Sequence, residues 1–214
     1  MAISSTPGLD RRRQRRRETI EEILRIAIEV MAEEGVAALS LSEVARRLGI
    51  RPPSLYKYFP SRLAVYDELF RRGWEGVLAA FRSGAAAAAP GLPALTAGVV
   101  AIGRYGMANQ VLTQLISWRP VPGFQPTADA FAPSQEFVAE LSRVVGTAVE
   151  LGQLDPRAAS EEGLAVLSTL IAGVMTQQLA NEPHAPFDGG RFTRLFPIVL
   201  TMFARTYTNQ EGQS

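Results

Sequence analysis

Residues 39–62 read LSLSEVARRLGIRPPSLYKYFPSR, and the reading of this stretch decides the fold. Ser40, with Glu43 three positions on, makes a capping-box pattern that opens a short helix over 42–48. Val44, Ala45 and Leu48 form its inner face and Gly49 is its stop. Pro52 disfavours the α region for Arg51, whereas a proline fits a first helical turn, so a second short helix is read from about Pro53 to Phe59. Pro60-Ser61 breaks it, and Ser61 caps a longer helix running to about Arg82. Upstream, Ile20, Ile23, Leu24, Ala27, Val30 and Met31 recur at helical spacing between Glu18 and Glu34, with Gly35 as the stop. Three helices with a tight turn at Gly49-Ile50-Arg51 describe a helix-turn-helix, in which the second helix of the pair offers its N-terminal residues to base edges in a major groove. Arg51, Ser54 and Lys57 are polar and Tyr56 and Tyr58 carry hydroxyls on rigid rings, which leaves Leu55 and Phe59, spaced i and i+4, as the anchor.

Outward from this unit the helical period continues and no sustained period of two occurs, so the expected class is all-α with about nine helices. Further helices are read at about Pro93–Ala108, Gln110–Trp118, Ser134–Leu151, Ala158–Asn181 and Arg191–Tyr207. Trp118 to Ser134 reads as a long connection holding four prolines. The organisation expected is a basic, flexible arm at 1–17, a DNA-binding unit at 18–62 with a connecting helix to about 82, and a larger helical domain at 83–214.

Composition agrees with recognition as the task. The 214 residues include no Cys and one His, which excludes a disulfide scaffold, a thiolate metal site and a cysteine nucleophile, and leaves only His184 for imidazole chemistry. No enzymatic activity, cofactor or metal is expected. The net charge of +1 divides unevenly: residues 1–62 hold 12 basic and 8 acidic side chains, the remainder 10 and 13. A basic front end points to an anionic partner. The polar start lacks a secretory signal, and the charge-free stretches 83–103 and 163–181 are interrupted by prolines or by Ser, Thr, Gln and Asn. Both read as core or interface of a cytoplasmic protein, without a membrane partner.

The quoted stretch, with the helix ending at Gly35, resembles the TetR-type transcriptional regulators, whose pattern of capped helix, Leu-Gly-Val/Ile turn, Leu-Tyr-x-His/Tyr-Phe and Lys-x-x-Leu it follows over about 60 positions. Beyond Arg82 only the succession of helices and the length are similar. The resemblance implies that Ser40 and Ser42 cap the support helix and touch phosphate, that Arg51, Pro52, Pro53, Ser54 and Lys57 occupy base-reading and flanking positions, and that Tyr56 and Tyr58 reach phosphate or a thymine methyl. Arg62 stands where the family has a phosphate-binding Lys. Pro52, with neither N–H nor polar side chain, departs from the family's usual polar reader. The resemblance further implies pairing of the last two helices with a symmetry mate, a palindromic operator, and a repressor released by an apolar small-molecule ligand.

Two readings of Arg11–Arg17, six arginines in seven residues, stay open: a solvated tail, or an arm lying along phosphate or in the minor groove. Trp74, Phe81, Tyr105, Trp118, Phe124, Phe131 and Met175 are candidate ligand contacts, although such residues at helical spacing also build cores. Arg104, Gln114 and Gln178 are polar groups in apolar helices and join the candidate set. The competing classes are an enzyme or carrier for an apolar molecule in the second half, and sequence-tolerant DNA packaging.

Overall fold

The computed structural model describes residues 7–208 and is helical throughout, with no strand among the described residues. Residues 1–6 of the expected arm and residues 209–214 of the expected second domain lie outside it. The helices are α1 (Pro7–Glu34), α2 (Leu41–Arg47), α3 (Pro52–Leu55), α4 (Arg62–Ala86), α5 (Leu92–Ala108), α6 (Gln110–Trp118), α7 (Ala128–Glu150), α8 (Glu161–Asn181) and α9 (Phe196–Thr206).

The caps are where the sequence puts them. Ser40 Oγ accepts the Glu43 amide at 3.3 Å and Ser61 Oγ accepts the Ala64 amide at 3.1 Å, satisfying first-turn donors that have no partner inside their helix. The α2–α3 turn is a Schellman closure: the Ile50 amide reaches the Ala45 carbonyl at 3.0 Å and the Gly49 amide the Arg46 carbonyl at 3.2 Å. Gly49 adopts φ 70°, a left-handed conformation that a Cβ would strain.

Several helix boundaries differ from the sequence reading. Helix α1 starts at Pro7, not Glu18, so the basic run Arg11–Arg17 is helical rather than an irregular arm. Helix α3 is shorter than expected and passes at Tyr56 into a turn closed by Tyr58 and Phe59 amides on the Leu55 carbonyl. Helix α7 begins at Ala128 and runs through Pro133, so the long connection ends at Thr127. There Thr127 Oγ1 caps the helix, accepting from the Ala130 amide, and donates to Asp67 Oδ2 of α4 at 2.8 Å while its own amide binds Asp67 Oδ1. This anchor, with burial of Ala130, Pro133, Ser134 and Phe137, offsets the backbone hydrogen bond a mid-helix proline loses. The last two helices are each preceded by a 3-10 turn, Pro156–Ala159 before the Ser160 cap of α8 and Thr193–Leu195 before α9.

Helix α4 is the spine. It packs along α5 and α7, touches α6, and also meets α1. Its buried Val65, Tyr66, Leu69, Phe70, Val77, Leu78 and Phe81 join one continuous core that includes Ile23, Val30, Leu55, Val99, Leu141, Val144 and Phe203. The α4–α5 approach is close enough to require glycine: a Cβ at Gly84 would stand 2.6 Å from the Ala97 carbonyl oxygen, and one at Gly98 2.6 Å from the Phe81 ring. Two bonds tie α4 to the first helices. Tyr66 Oη, fully buried, donates to the Val36 carbonyl at 2.6 Å, and Arg72 bridges Glu68 on its own helix and Glu21 on α1, each at 2.7 Å. Tyr66→Phe leaves a buried carbonyl without that donor and is expected to lower unfolding free energy by about 1–2 kcal/mol in urea denaturation, with the helical content unchanged.

Candidate nucleic-acid interface and internal cavity

The residues of α2, α3 and the following turn divide cleanly between inside and outside. Leu55 and Phe59 are buried against the α1 core, as are Val44 and Ala45. Arg51, Pro52, Pro53, Tyr56, Lys57, Ser42 and Arg62 are exposed, with Ser40, Ser54 and Tyr58 half-buried at the edge. The structure brings all ten of these residues, singled out from the sequence, into one segment from Ser40 to Arg62.

Charge on this segment is sorted. Glu43 takes Arg46 at 2.7 Å and Arg47 at 2.7 Å, and Arg47 also holds Glu33 of α1 at 2.6 Å, so both arginines are committed within the protein. Arg51, Lys57 and Arg62 have no carboxylate partner among the described residues. Hydrogen bonds from Arg46 and then Arg47 hold the Glu43 carboxyl down at about 2. Because that folded-state value is depressed, the stabilisation it brings is complete above about 4.5 and disappears as pH falls towards about 2. Acid titration of the chain is therefore expected to weaken the Glu43–Arg46–Arg47 cluster of α2 in that window, and Glu43→Gln to flatten the response.

One contact was not legible from the sequence. Arg16, in the extended part of α1, donates to the Lys57 carbonyl at 3.3 Å and places its guanidinium 5.2 Å from the centre of the Tyr58 ring. The two sites are 41 residues apart, and only the length of α1 joins them. The other arginines of the run are exposed on the same helix.

A cavity of about 380 Å³ lies in the larger half, walled by α4, α5, α6, α7 and α8. Trp74, Val77, Ile102, Gly106, Thr113, Ile116, Phe137, Ile171 and Met175 form its inner surface, and the exposed Ser117, Val138, Ser168 and Ala172 place its mouth at the surface. No acidic or basic side chain lines it. The Trp74 and Phe137 rings lie 5.6 Å apart at 36°.

Of the ligand contacts expected from the sequence, Trp74 and Met175 line this cavity and the others do not. Phe81, Phe124 and Phe131 pack on Phe137 or Phe70 as core. Trp118 is 40% exposed and donates its indole N–H to Thr176 Oγ1 at 3.1 Å, acting on the wall from outside. Arg104 is exposed, paired to Asp188 through two 2.7 Å bonds, and lines a separate open cleft with the 183–188 loop. Gln178 is fully buried, but its amide is used structurally, accepting from the Phe192 and Thr193 amides at 3.0 and 3.1 Å and donating to the Glu182 carbonyl. Tyr105 packs beside Gly76, burial raising its hydroxyl pKa, and Gln114 is half-buried on α6 away from the lining. Polarity in an apolar helix thus marked helix-joining groups, while the lining positions Thr113, Ile116 and Ile171 carry no sequence signal that sets them apart from core.

The fold and this exposed, uncompensated basic segment define a helix-turn-helix DNA-binding protein with a larger helical domain behind it. Residues 23–69 match the profile of the bacterial regulatory proteins of the tetR family. Solved structures of similar fold include the regulatory protein SCO4313, 24% identical, covering 89% of this chain and 97% of that one with a TM-score of 0.73. PfmR, a TetR family transcriptional regulator from Thermus thermophilus, is 22% identical, covers 86% and 97%, and has a TM-score of 0.67. RolR, solved in complex with resorcinol, is 14% identical, covers 92% and 91%, and has a TM-score of 0.60. No curated protein matches the sequence closely.

If the arginine face of α1 meets phosphate, each contact contributes to salt sensitivity. Deleting residues 1–17 is expected to reduce the steepness of log affinity against log salt by up to roughly 5 for six phosphate contacts. An unchanged slope assigns the run to solvent.

Proposed function

We propose that the protein is a homodimeric transcriptional repressor, working in the cytoplasm, that binds a palindromic operator through Ser40, Ser42, Arg51, Pro52, Pro53, Ser54, Tyr56, Lys57, Tyr58 and Arg62 and is released by a small molecule entering the cavity. The observation that carries the reading is the reach of α4. Arg62 opens it at the recognition segment, and Trp74 and Val77, further along the same helix, wall the cavity. Twelve helical steps separate Arg62 from Trp74, about 18 Å at 1.5 Å per residue, so a shift at the cavity is transmitted along one rigid element to the base-reading end. A coupling of about 1–3 kcal/mol changes DNA affinity 5- to 150-fold, within reach of a side-chain rearrangement against α4.

The dimer reading rests on the outer faces of α8 and α9. Helix α8 is the one described helix long and apolar enough to cross a membrane by length and composition, yet only 39% of its most apolar window is buried in the single chain. Ala165, Val166, Thr169, Gly173, Gln177 and Ala180 lie on it, all exposed and without a charge among them, and α9 adds Ile198 and Met202, 55% and 56% exposed. Interspersed Ser, Thr and Gln suit a protein partner better than lipid. A two-fold axis through this surface makes a self-complementary interface and sets two recognition segments about 34–36 Å apart.

Selection from random duplexes is expected to return a palindrome, and Arg51→Ala and Lys57→Ala to weaken binding to it without altering fold. Ile198→Asp combined with Met202→Glu is expected to yield monomers in sedimentation and to weaken operator binding. A featureless selected pool, or a stable monomer of the unaltered chain at micromolar concentration, refutes the proposal.

A further inference from the structure

Helix α3 is a single turn of four residues, Pro52–Leu55, and its own bonds hold it poorly. Pro52 and Pro53 bring no N–H, no side chain caps its start, and the Tyr58 and Phe59 amides converge on the Leu55 carbonyl as the chain leaves it. A helix this short does not persist on propensity, so contacts from elsewhere set the geometry of the side chains it carries. Burial of Leu55 and Phe59 supplies the inner contact. The outer one comes from α1, where Arg16 donates to the Lys57 carbonyl at 3.3 Å and stands 5.2 Å from the centre of the Tyr58 ring. A carbonyl just past a helix end is thereby satisfied by a side chain of another helix.

Resting on the reading of 40–62 as the DNA-binding segment, we infer that Arg16 is a positioning residue for operator recognition. It holds the Lys57 peptide and the Tyr58 ring in the arrangement that meets the operator, and so sets the discrimination between operator and other DNA. The periodicity that builds the core also places it. Arg16, Ile20, Ile23 and Ala27 follow at spacings of four, three and four, so Arg16 continues the core-facing stripe of α1 one turn beyond its last apolar residue. Ile23 and Ala27 are buried, Ile20 is half-buried and Arg16 is exposed, so the stripe leaves the core at the level of the recognition turn. An arginine there covers an aromatic face and satisfies a carbonyl while keeping its charge in water. A lysine keeps the charge but lacks the planar group that lies over a ring. This role is independent of whether the neighbouring arginines reach phosphate.

Three variants of the full chain test the inference: Arg16→Gln, Arg16→Lys and, as the control for charge alone, Arg13→Gln, whose arginine does not share these contacts. Affinity is measured for the palindrome recovered by selection and for a scrambled duplex of equal length. Arg16→Gln is expected to lower the ratio of operator to scrambled affinity about five- to tenfold. Arg16→Lys is expected to restore the salt slope but not the ratio, and Arg13→Gln to leave the ratio unchanged, any loss being shared by both duplexes. A ratio unchanged by Arg16→Gln, fully restored by Arg16→Lys, or lowered as far by Arg13→Gln overturns the inference. Without DNA, hydrogen exchange at the Tyr58 and Phe59 amides is expected to quicken at least about threefold in Arg16→Gln and not in Arg13→Gln. Unchanged exchange overturns the inference as well. If selection returns no palindrome, the regulatory reading fails by itself, and the exchange rates still judge whether Arg16 holds the turn.

Discussion

Burial of one continuous face of helix α4 is the constraint on which the remainder of the molecule depends. Its Val65, Tyr66, Leu69 and Phe70 close the core of the first helices, and Val77, Leu78 and Phe81 belong to the larger half, so a single stretch of backbone lies in two hydrophobic environments. Neither half can bury its apolar face without it. The Tyr66–Val36 bond and the Glu21–Arg72–Glu68 bridge add direction to that burial, because they set the rotation of α1 about α4. The bridge is partly exposed and contributes little free energy alone, whereas the buried hydroxyl–carbonyl bond is costly to break.

This arrangement separates rigidity from reach. The recognition segment is held from behind by Leu55 and Phe59, from one end by the Ser61 cap, and from the side by Arg16 on the Tyr58 ring. What remains exposed includes the cations Arg51, Lys57 and Arg62 together with Ser42, Pro52, Pro53 and Tyr56. Arg46 and Arg47 show that exposure and charge alone do not make a contact surface, since both are turned back onto Glu43 and Glu33. Midway along its length, α4 contributes the one unsatisfied buried donor among the described residues, Trp74 Nε1.

The helix-turn-helix was legible almost residue by residue because its determinants are local: a Ser cap three residues before Glu43, a glycine at positive φ, a proline in the first turn of α3. The start of α7 was not, because Pro133 is a helix breaker by propensity and only the Asp67–Thr127 anchor from another helix overrides it. Likewise Gln178 has the composition of a ligand group, yet the Phe192 and Thr193 amides claim its carbonyl. A sequence shows that a polar side chain sits in an apolar helix; it does not show which backbone group arrives to satisfy it.

By itself, then, the sequence determined the class of elements, their caps and which side chains of the 40–62 segment anchor it, since each follows from interactions within about four residues. Tertiary structure alone decided that the arginine run is helical and touches the recognition turn, which aromatic residues are core and which line a cavity, and that one buried indole lacks a partner. Those outcomes depend on contacts between residues tens of positions apart, where periodicity carries no information about which face meets which.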